Sequence, residues 1–149
     1  MSSNNFNIYK MEFNEIDEVI NLQIANNKNI LSKTSVIEDF NNNTTIYFVY
    51  KLNNKIIGYI AASLLYDHVD ILSVLVDEGS TRNGIASTLL YTLLDEVKKL
   101  QISDVFLEVR VTNIPAQKLY EKFGFEKINI RKKYYTDNQE DALIYKLSI

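Results

Sequence analysis

The sequence predicts an α+β fold: a single domain, 1–149, built on one mixed central sheet in the order β-α-α-β-β-β-α-β-α-β-β. Three observations lead there. β-rich runs at residues 44–52, 55–66, 69–76 and 105–111 and at the chain's end are interleaved with apolar stripes of helical period. Short turn signals, Asn53-Asn54 above all, join three of the strands consecutively, which makes an antiparallel meander rather than a βαβ alternation. No linker, repeat or low-complexity block interrupts the 149 residues.

Residues 6–11 alternate apolar and polar side chains and form a first strand after a loose start at 1–5. Asn14 is a fair N-cap for a helix with Ile16, Val19, Ile20 and Ile24 at helical spacing, and Asn26, Asn27 and Asn29 end it. A second short helix starts at Ser35, with Glu38 completing a capping box, and residues 41–43 are a loop. The hairpin of 44–52 and 55–66 follows, and Asp67 and His68 turn the chain into the strand 69–76. Gly79 and Gly84 lead into Ile85, Leu89, Leu93, Val97 and Leu100, the apolar stripe of a long helix. In 105–111 the valines and Leu107 share one face, while Phe106, Glu108 and Arg110 share the other. Asn113 and Pro115 open a brief helix, Gly124 fits its left-handed end, and Phe125 packs back behind it. Two closing strands, 125–135 and 142–149, flank a polar loop carrying Asp137, Glu140 and Asp141.

A net charge of −3 and a pI near 5.2 argue against a protein that binds nucleic acid through its phosphates. Absence of cysteine removes disulfides, thiolate nucleophiles and Cys-based zinc sites, and a single histidine, His68, removes multi-His metal sites. The first residues lack the blocks of a signal peptide, and no apolar run approaches the roughly 20 residues that span a bilayer. The expectation is a soluble, cytoplasmic protein with no metal and no membrane association.

Chemistry concentrates first at residues 71–87, I-L-S-V-L-V-D-E-G-S-T-R-N-G-I-A-S. An apolar strand runs through a polar loop into a helix start, which aims unpaired N–H groups and a positive dipole end forward, a natural phosphate site. Glu108, a carboxylate in a strand of valines, is either on a solvated face or held in a cleft as a general base. Tyr120 is core, surface or a proton donor. The acidic loop is either solvated or attracts a basic acceptor.

The blocks V-D-E-G-S-T-R-N-G-I-A, L-E-V-R-V-T-N, K-L-Y-E-K-F-G-F, I-R-K-K-Y-Y and E-D-A-L-I-Y, at the intervals found here, resemble the GNAT superfamily of N-acetyltransferases. Within it they most resemble the RimI type, which acetylates the N-terminal alanine of ribosomal protein S18. The resemblance implies acetyl-CoA as cosubstrate and direct transfer to a protein N-terminal amine. It implies that backbone groups of Val74, Leu75 and Val76 bind the pantetheine arm and acetyl group. N–H groups of Arg82, Asn83, Gly84, Ile85, Ala86 and Ser87 would cradle the pyrophosphate, with Asn113 a further contact. It makes Glu108 the general base, Tyr120 the general acid, and Tyr134 and Tyr135 aromatic neighbours of the incoming peptide. The same fold could serve a small-molecule amine or a lysine side chain, or survive as a non-catalytic acyl-CoA-binding module. The chain departs from the RimI type on the acceptor side, with Gln23 where a Glu is common and I-L-S at 30–32 in place of Pro-Trp-Ser.

Overall fold

A computed structural model describes residues 7–81 and 83–149. Strands β1 (Ile8–Lys10), β2 (Thr45–Leu52), β3 (Lys55–Leu64), β4 (His68–Val76), β5 (Asp104–Arg110), β6 (Glu126–Arg131) and β7 (Ala142–Ser148) form one sheet in the order β1-β2-β3-β4-β5-β7-β6. Helices α1 (Ile16–Ala25), α2 (Lys33–Asn42), α3 (Ile85–Lys99) and α4 (Ile114–Lys122) complete the expected order, with 3-10 turns added at Phe13–Glu15 and Glu78–Ser80. Residues 1–6, including the expected loose start and the beginning of the first strand, lie outside the described residues.

The meander forms because Asn53 and Asn54 both take the left-handed conformation, φ 52° and 65°, which asparagine tolerates and a two-residue hairpin turn requires. All pairings are antiparallel except β4 with β5, which are joined by the crossover through α3. α3 buries Ile85, Leu89, Leu90, Leu93 and Val97 on one sheet face; α1 and α2 cover part of the other with Ile16, Val19, Leu22 and Val36. Gly58 sets the approach of α3: a Cβ there would lie 3.2 Å from the Leu75 carbonyl oxygen and 3.3 Å from Ile85. Among the described residues no helix is long and apolar enough to cross a membrane.

Several boundaries differ from expectation for local reasons. A 3-10 turn with a Glu12/Glu15 capping box precedes α1, so the helix starts after the expected Asn14 cap, and its buried face is Ile16, Val19, Leu22 and Gln23. Ile24 points outward and is 65% exposed. α2 begins a turn early because Ser32 accepts the Ser35 N–H at 3.1 Å, which supersedes a start at Ser35. Asn41 and Asn42 are helical, and only Asn43, with φ 55°, forms the left-handed end. Leu100, expected on the α3 stripe, is the helix C-cap and 45% exposed. The closing strand β6 stops at Arg131, so Tyr134 and Tyr135 sit in the following loop.

Candidate functional site: a split between two parallel strands

β4 and β5 are paired only over His68–Ile71 and Asp104–Leu107. Beyond that point β4 stays paired with β3 as far as Val76, and β5 with β7 as far as Arg110, so a gap opens between the two central strands. The divergence coincides with a bulge: Ala61 pairs with Ser73 and Ala62 with Ile71, leaving Leu72 over. The extra residue switches the face of every later side chain. Val69 and Ile71 belong to the core under α3, but after Leu72 it is Val74 and Val76 that turn to that side, while Ser73 and Leu75 turn to the other.

Backbone direction follows from the same register. The Asp77 N–H donates to the Ile57 carbonyl at 2.8 Å, so the alternation of an antiparallel ladder turns the peptide groups of Leu75 and Ser73 towards β3. Those of Val74 and Val76 face the gap, where among the described residues no strand pairs with them. An extended ligand arm can add there as a strand would.

Val74, Val76, Gly84, Ile85, Ala86, Ser87, Asn113 and Tyr120 line one cleft of about 400 Å³ together with Ser80, Thr81, Pro115, Ala116 and Leu119. At its mouth stands the start of α3, which has no side-chain cap. Gly84 occupies the N-cap with φ 74°, and nothing lies within 4 Å of where its Cβ would be. Among the described residues no side chain caps the first N–H groups of the helix, which leaves them available in the manner of an anion site. Asn83 donates to the Ser80 carbonyl at 3.4 Å, holding the loop on itself, and Arg82 lies outside the described residues. Asn26, at the end of α1, fixes the other end of this loop through Asp77 Oδ1 at 3.0 Å and the Glu78 N–H at 2.9 Å. Asn113 caps α4 by accepting the Ala116 N–H at 3.2 Å.

Tyr120 is 7% exposed, packs edge-on against Phe125, and lines the cleft floor. Burial first, and then Tyr135, pushes its hydroxyl far up in pKa, so it holds its proton at neutral pH. Glu108 projects from β5 to the opposite sheet face, 32% exposed. Its Oε1 accepts the Tyr134 hydroxyl at 2.9 Å and its Oε2 lies 3.6 Å from the Arg131 guanidinium. That bond to Glu108 raises the Tyr134 pKa. Tyr135 instead lies under Arg110, whose Cζ is 3.9 Å from the ring centroid. Tyr120 therefore lines the cleft, whereas Glu108, the first residue of β5 beyond the paired seam, stands on the opposite sheet face with Tyr134 and is not among the residues that line it.

Three features were not read from the sequence. A buried network joins Tyr59 Oη to Ser73 Oγ at 2.7 Å and to Gln23 Oε1 at 3.3 Å, and Gln23 in turn binds both the N–H and the carbonyl of Leu31. It ties the α1–α2 connection to β4 at the split. The acidic loop proves to be paired with cations of the chain itself, Asp137 and Glu140 with Arg110 of β5 and Asp141 with Lys132. The only available signal was weak: Arg110 shares the Glu108 face, and the carboxylates follow about thirty residues later. The bulge at Leu72 left no signal in a run that is apolar throughout.

The Acetyltransferase (GNAT) family matches residues 13–125. A putative ribosomal protein bS18-alanine N-acetyltransferase of Bacillus subtilis is 31% identical over 143 residues, covering 95% of each chain. The ribosomal protein bS18-alanine N-acetyltransferase of Escherichia coli K12 is 36% identical over 99 residues, 65% of this chain and 67% of that one. The crystal structure of the Escherichia coli ribosomal-protein-S18-alanine N-acetyltransferase superposes with a TM-score of 0.87 at 28% identity, over 95% of this chain and 92% of that one. The split sheet, the uncapped helix start beside it and these likenesses agree: the chain belongs to the GNAT family and is an acetyl-CoA-dependent N-acetyltransferase.

Proposed function

We propose that this protein acetylates a protein N-terminal α-amine in the cytoplasm, with the N-terminal alanine of ribosomal protein S18 as its acceptor. The observation that carries the reading is the 31% identity to the Bacillus subtilis relative across 95% of both chains, which takes in the acceptor side as well as the donor side. The site's chemistry supports it. An α-amine with a pKa near 8 is roughly one-tenth neutral at pH 7, whereas a lysine amine is neutral to only a few parts in ten thousand, so a lone carboxylate suffices for an N-terminus.

The residues fit the donor. Unpaired peptide groups at Val74 and Val76 suit a pantetheine arm, and the open start of α3, from Gly84 to Ser87, suits a pyrophosphate. When bound, acetyl-CoA supplies an activated acyl thioester. Val76 and Val74 orient the arm and offer N–H groups to a developing oxyanion. Glu108 takes the proton of the acceptor amine, directly or through water, and Tyr120, kept protonated by burial, donates to the departing sulfur. Leu75 serves by filling the core under α1, and Asn113 by setting the angle of α4 and hence of Tyr120. Tyr134 and Tyr135 line the acceptor's approach to Glu108.

Acetyl transfer should be measured from acetyl-CoA to an Ala-Arg-starting S18 peptide, a polyamine and an N-blocked lysine peptide. The expected result is transfer to the first substrate at a kcat/KM at least about a hundredfold above the other two, given the difference in neutral amine. Preference for the polyamine or the lysine peptide would overturn the acceptor assignment while leaving the donor site in place. Tight acetyl-CoA binding with none of the three acetylated would overturn the N-terminal acceptor assignment and point to an amine of another class.

A further inference from the structure

We infer that Arg110 is the positioning residue of the acceptor wall, holding the loop of residues 132–141 where Tyr134 reaches Glu108. The inference rests on the acceptor reading above and adds a residue to it. Arg110 stands two places after Glu108 on β5, on the same face. Its guanidinium donates to Asp137 Oδ2 at 2.9 Å, to Glu140 Oε1 at 3.2 Å and to Asn138 Oδ1 at 3.2 Å, and its Cζ stands 3.9 Å over the Tyr135 ring centroid. Glu140's second oxygen accepts the Thr112 N–H at 2.9 Å and the Thr112 hydroxyl. The end of β5 therefore grips the far limb of the loop at two points.

The loop transmits that grip. Tyr135 N–H donates to the Glu140 carbonyl at 3.1 Å, and Gln139 N–H to the Tyr135 carbonyl at 2.8 Å, so the loop closes on itself around the guanidinium. Tyr134 packs edge-on against Tyr135, ring centroids 5.1 Å apart, and from there its hydroxyl reaches Glu108. The path from Arg110 to Tyr135 to Tyr134 to Glu108 is continuous. The pattern calls for arginine rather than lysine, because one planar group must donate to three acceptors and stack on a ring. Arg110 is itself placed from behind, where Gln117 of α4 donates to the Arg110 and Val111 carbonyls at 3.1 Å and 2.9 Å. The segment that carries Tyr120 thus also registers the acceptor wall.

The test uses the full chain with Arg110→Met, Arg110→Lys, Asp137→Asn and Tyr134→Phe, read by amide hydrogen exchange and by kinetics with an Ala-Arg peptide. In Arg110→Met, exchange at Tyr135 and Gln139 should rise about tenfold or more, kcat/KM for the peptide should fall about tenfold to a hundredfold, and the acetyl-CoA KM should stay within about twofold. Arg110→Lys should recover only part. Adding Tyr134→Phe to Arg110→Met should cost little more, since the contact is already lost, whereas independent effects would multiply. Unchanged exchange, full rescue by lysine, or multiplicative effects would each overturn the inference. Should Arg110→Met fail to fold, Asp137→Asn removes one exposed contact and must show the same pattern at smaller size, and its absence would also overturn it. If the wild-type protein ignores the peptide, the acceptor assignment fails, and the exchange at Tyr135 and Gln139 still decides whether Arg110 holds the loop.

Discussion

At the scale of single residues, Glu108 and Tyr120 answer to different physics. Glu108 sits in a polar, half-open place between the Tyr134 hydroxyl and the Arg131 guanidinium, so the isosteric amide keeps the Tyr134 bond and removes the charge that the proposed base role requires. Glu108→Gln is expected to lower kcat by about 10²- to 10³-fold with the acetyl-CoA KM nearly unchanged; an unchanged kcat would remove it from the reaction. Tyr120 is buried against Phe125 and lines the cleft, so Tyr120→Phe keeps that packing and removes only the hydroxyl; the proposed donor role then predicts a kcat loss of about tenfold or more. A thermal midpoint that drops with kcat would show that the hydroxyl serves folding instead. Tyr59 makes the opposite case. Its hydroxyl is enclosed with Ser73 and Gln23, and burial holds its pKa up to about 12. Tyr59→Phe should cost about 1–3 kcal/mol in denaturant unfolding by leaving buried partners unmatched, and a cost near zero would mean that Ser73 and Gln23 satisfy each other.

Elements were legible where local pattern decided them. The hairpin, the stripe of α3, the Asn113–Pro115 start of α4 and the Gly124 end, with φ 95°, all follow from neighbours within a few residues. Misreadings fell where distant contacts decided. Residues 125–135 carry β-forming side chains to their end, yet the strand stops at Arg131, because Lys133 takes φ 51° with its N–H on the Asp141 carboxylate and Arg110 gathers the remaining acids. That loop carries a pH signature. Hydrogen bonds from the Thr112 hydroxyl and N–H, then from Arg110, hold the Glu140 carboxyl down to about 2, against 4.5 when free. A carboxyl depressed in this way contributes its full anchoring above its free value and loses it as pH falls through about 2. The Thr112 amide signal should therefore stay constant from pH 7 to about pH 4 and shift only in stronger acid, with Glu140→Gln abolishing the shift. A midpoint near the free value would show that the anchoring bonds are not made in solution.

On the scale of the whole molecule, the sheet is two blocks joined by one short parallel seam. β1 to β4 with α1 and α2 form one block, β5 to β7 with α4 the other, and within the sheet the ladder between them consists of four residue pairs of β4 and β5. α3 spans both, packing Leu89, Leu90 and Leu93 in the core that the two blocks share. The order of elements and the three-strand meander could be read from the sequence because each strand and helix declares its own period, but the strand order beyond the meander and the seam's length could not. It depends on Leu72 falling out of register, and an apolar run keeps the same appearance whichever face its side chains take. Among the described residues the gap leaves the outward peptide groups of Val74 and Val76 without a strand partner on the β5 side, so a ligand that fills it supplies the contacts that β5 does not. Binding to the folded state alone stabilises it by about 2.7 kcal/mol at a hundred times Kd, or roughly 5–11 °C in Tm for a domain of this length. Acetyl-CoA should give a rise of that size and slow amide exchange at Val74 and Val76 while leaving Ser73 and Leu75 as they were. A nucleotide fragment without the pantetheine arm should engage only the start of α3, raise Tm less, and leave exchange at Val74 and Val76 fast. Equal protection by both ligands would mean that the strand groups are shielded by some closure of the two blocks and that the gap is not where the arm lies.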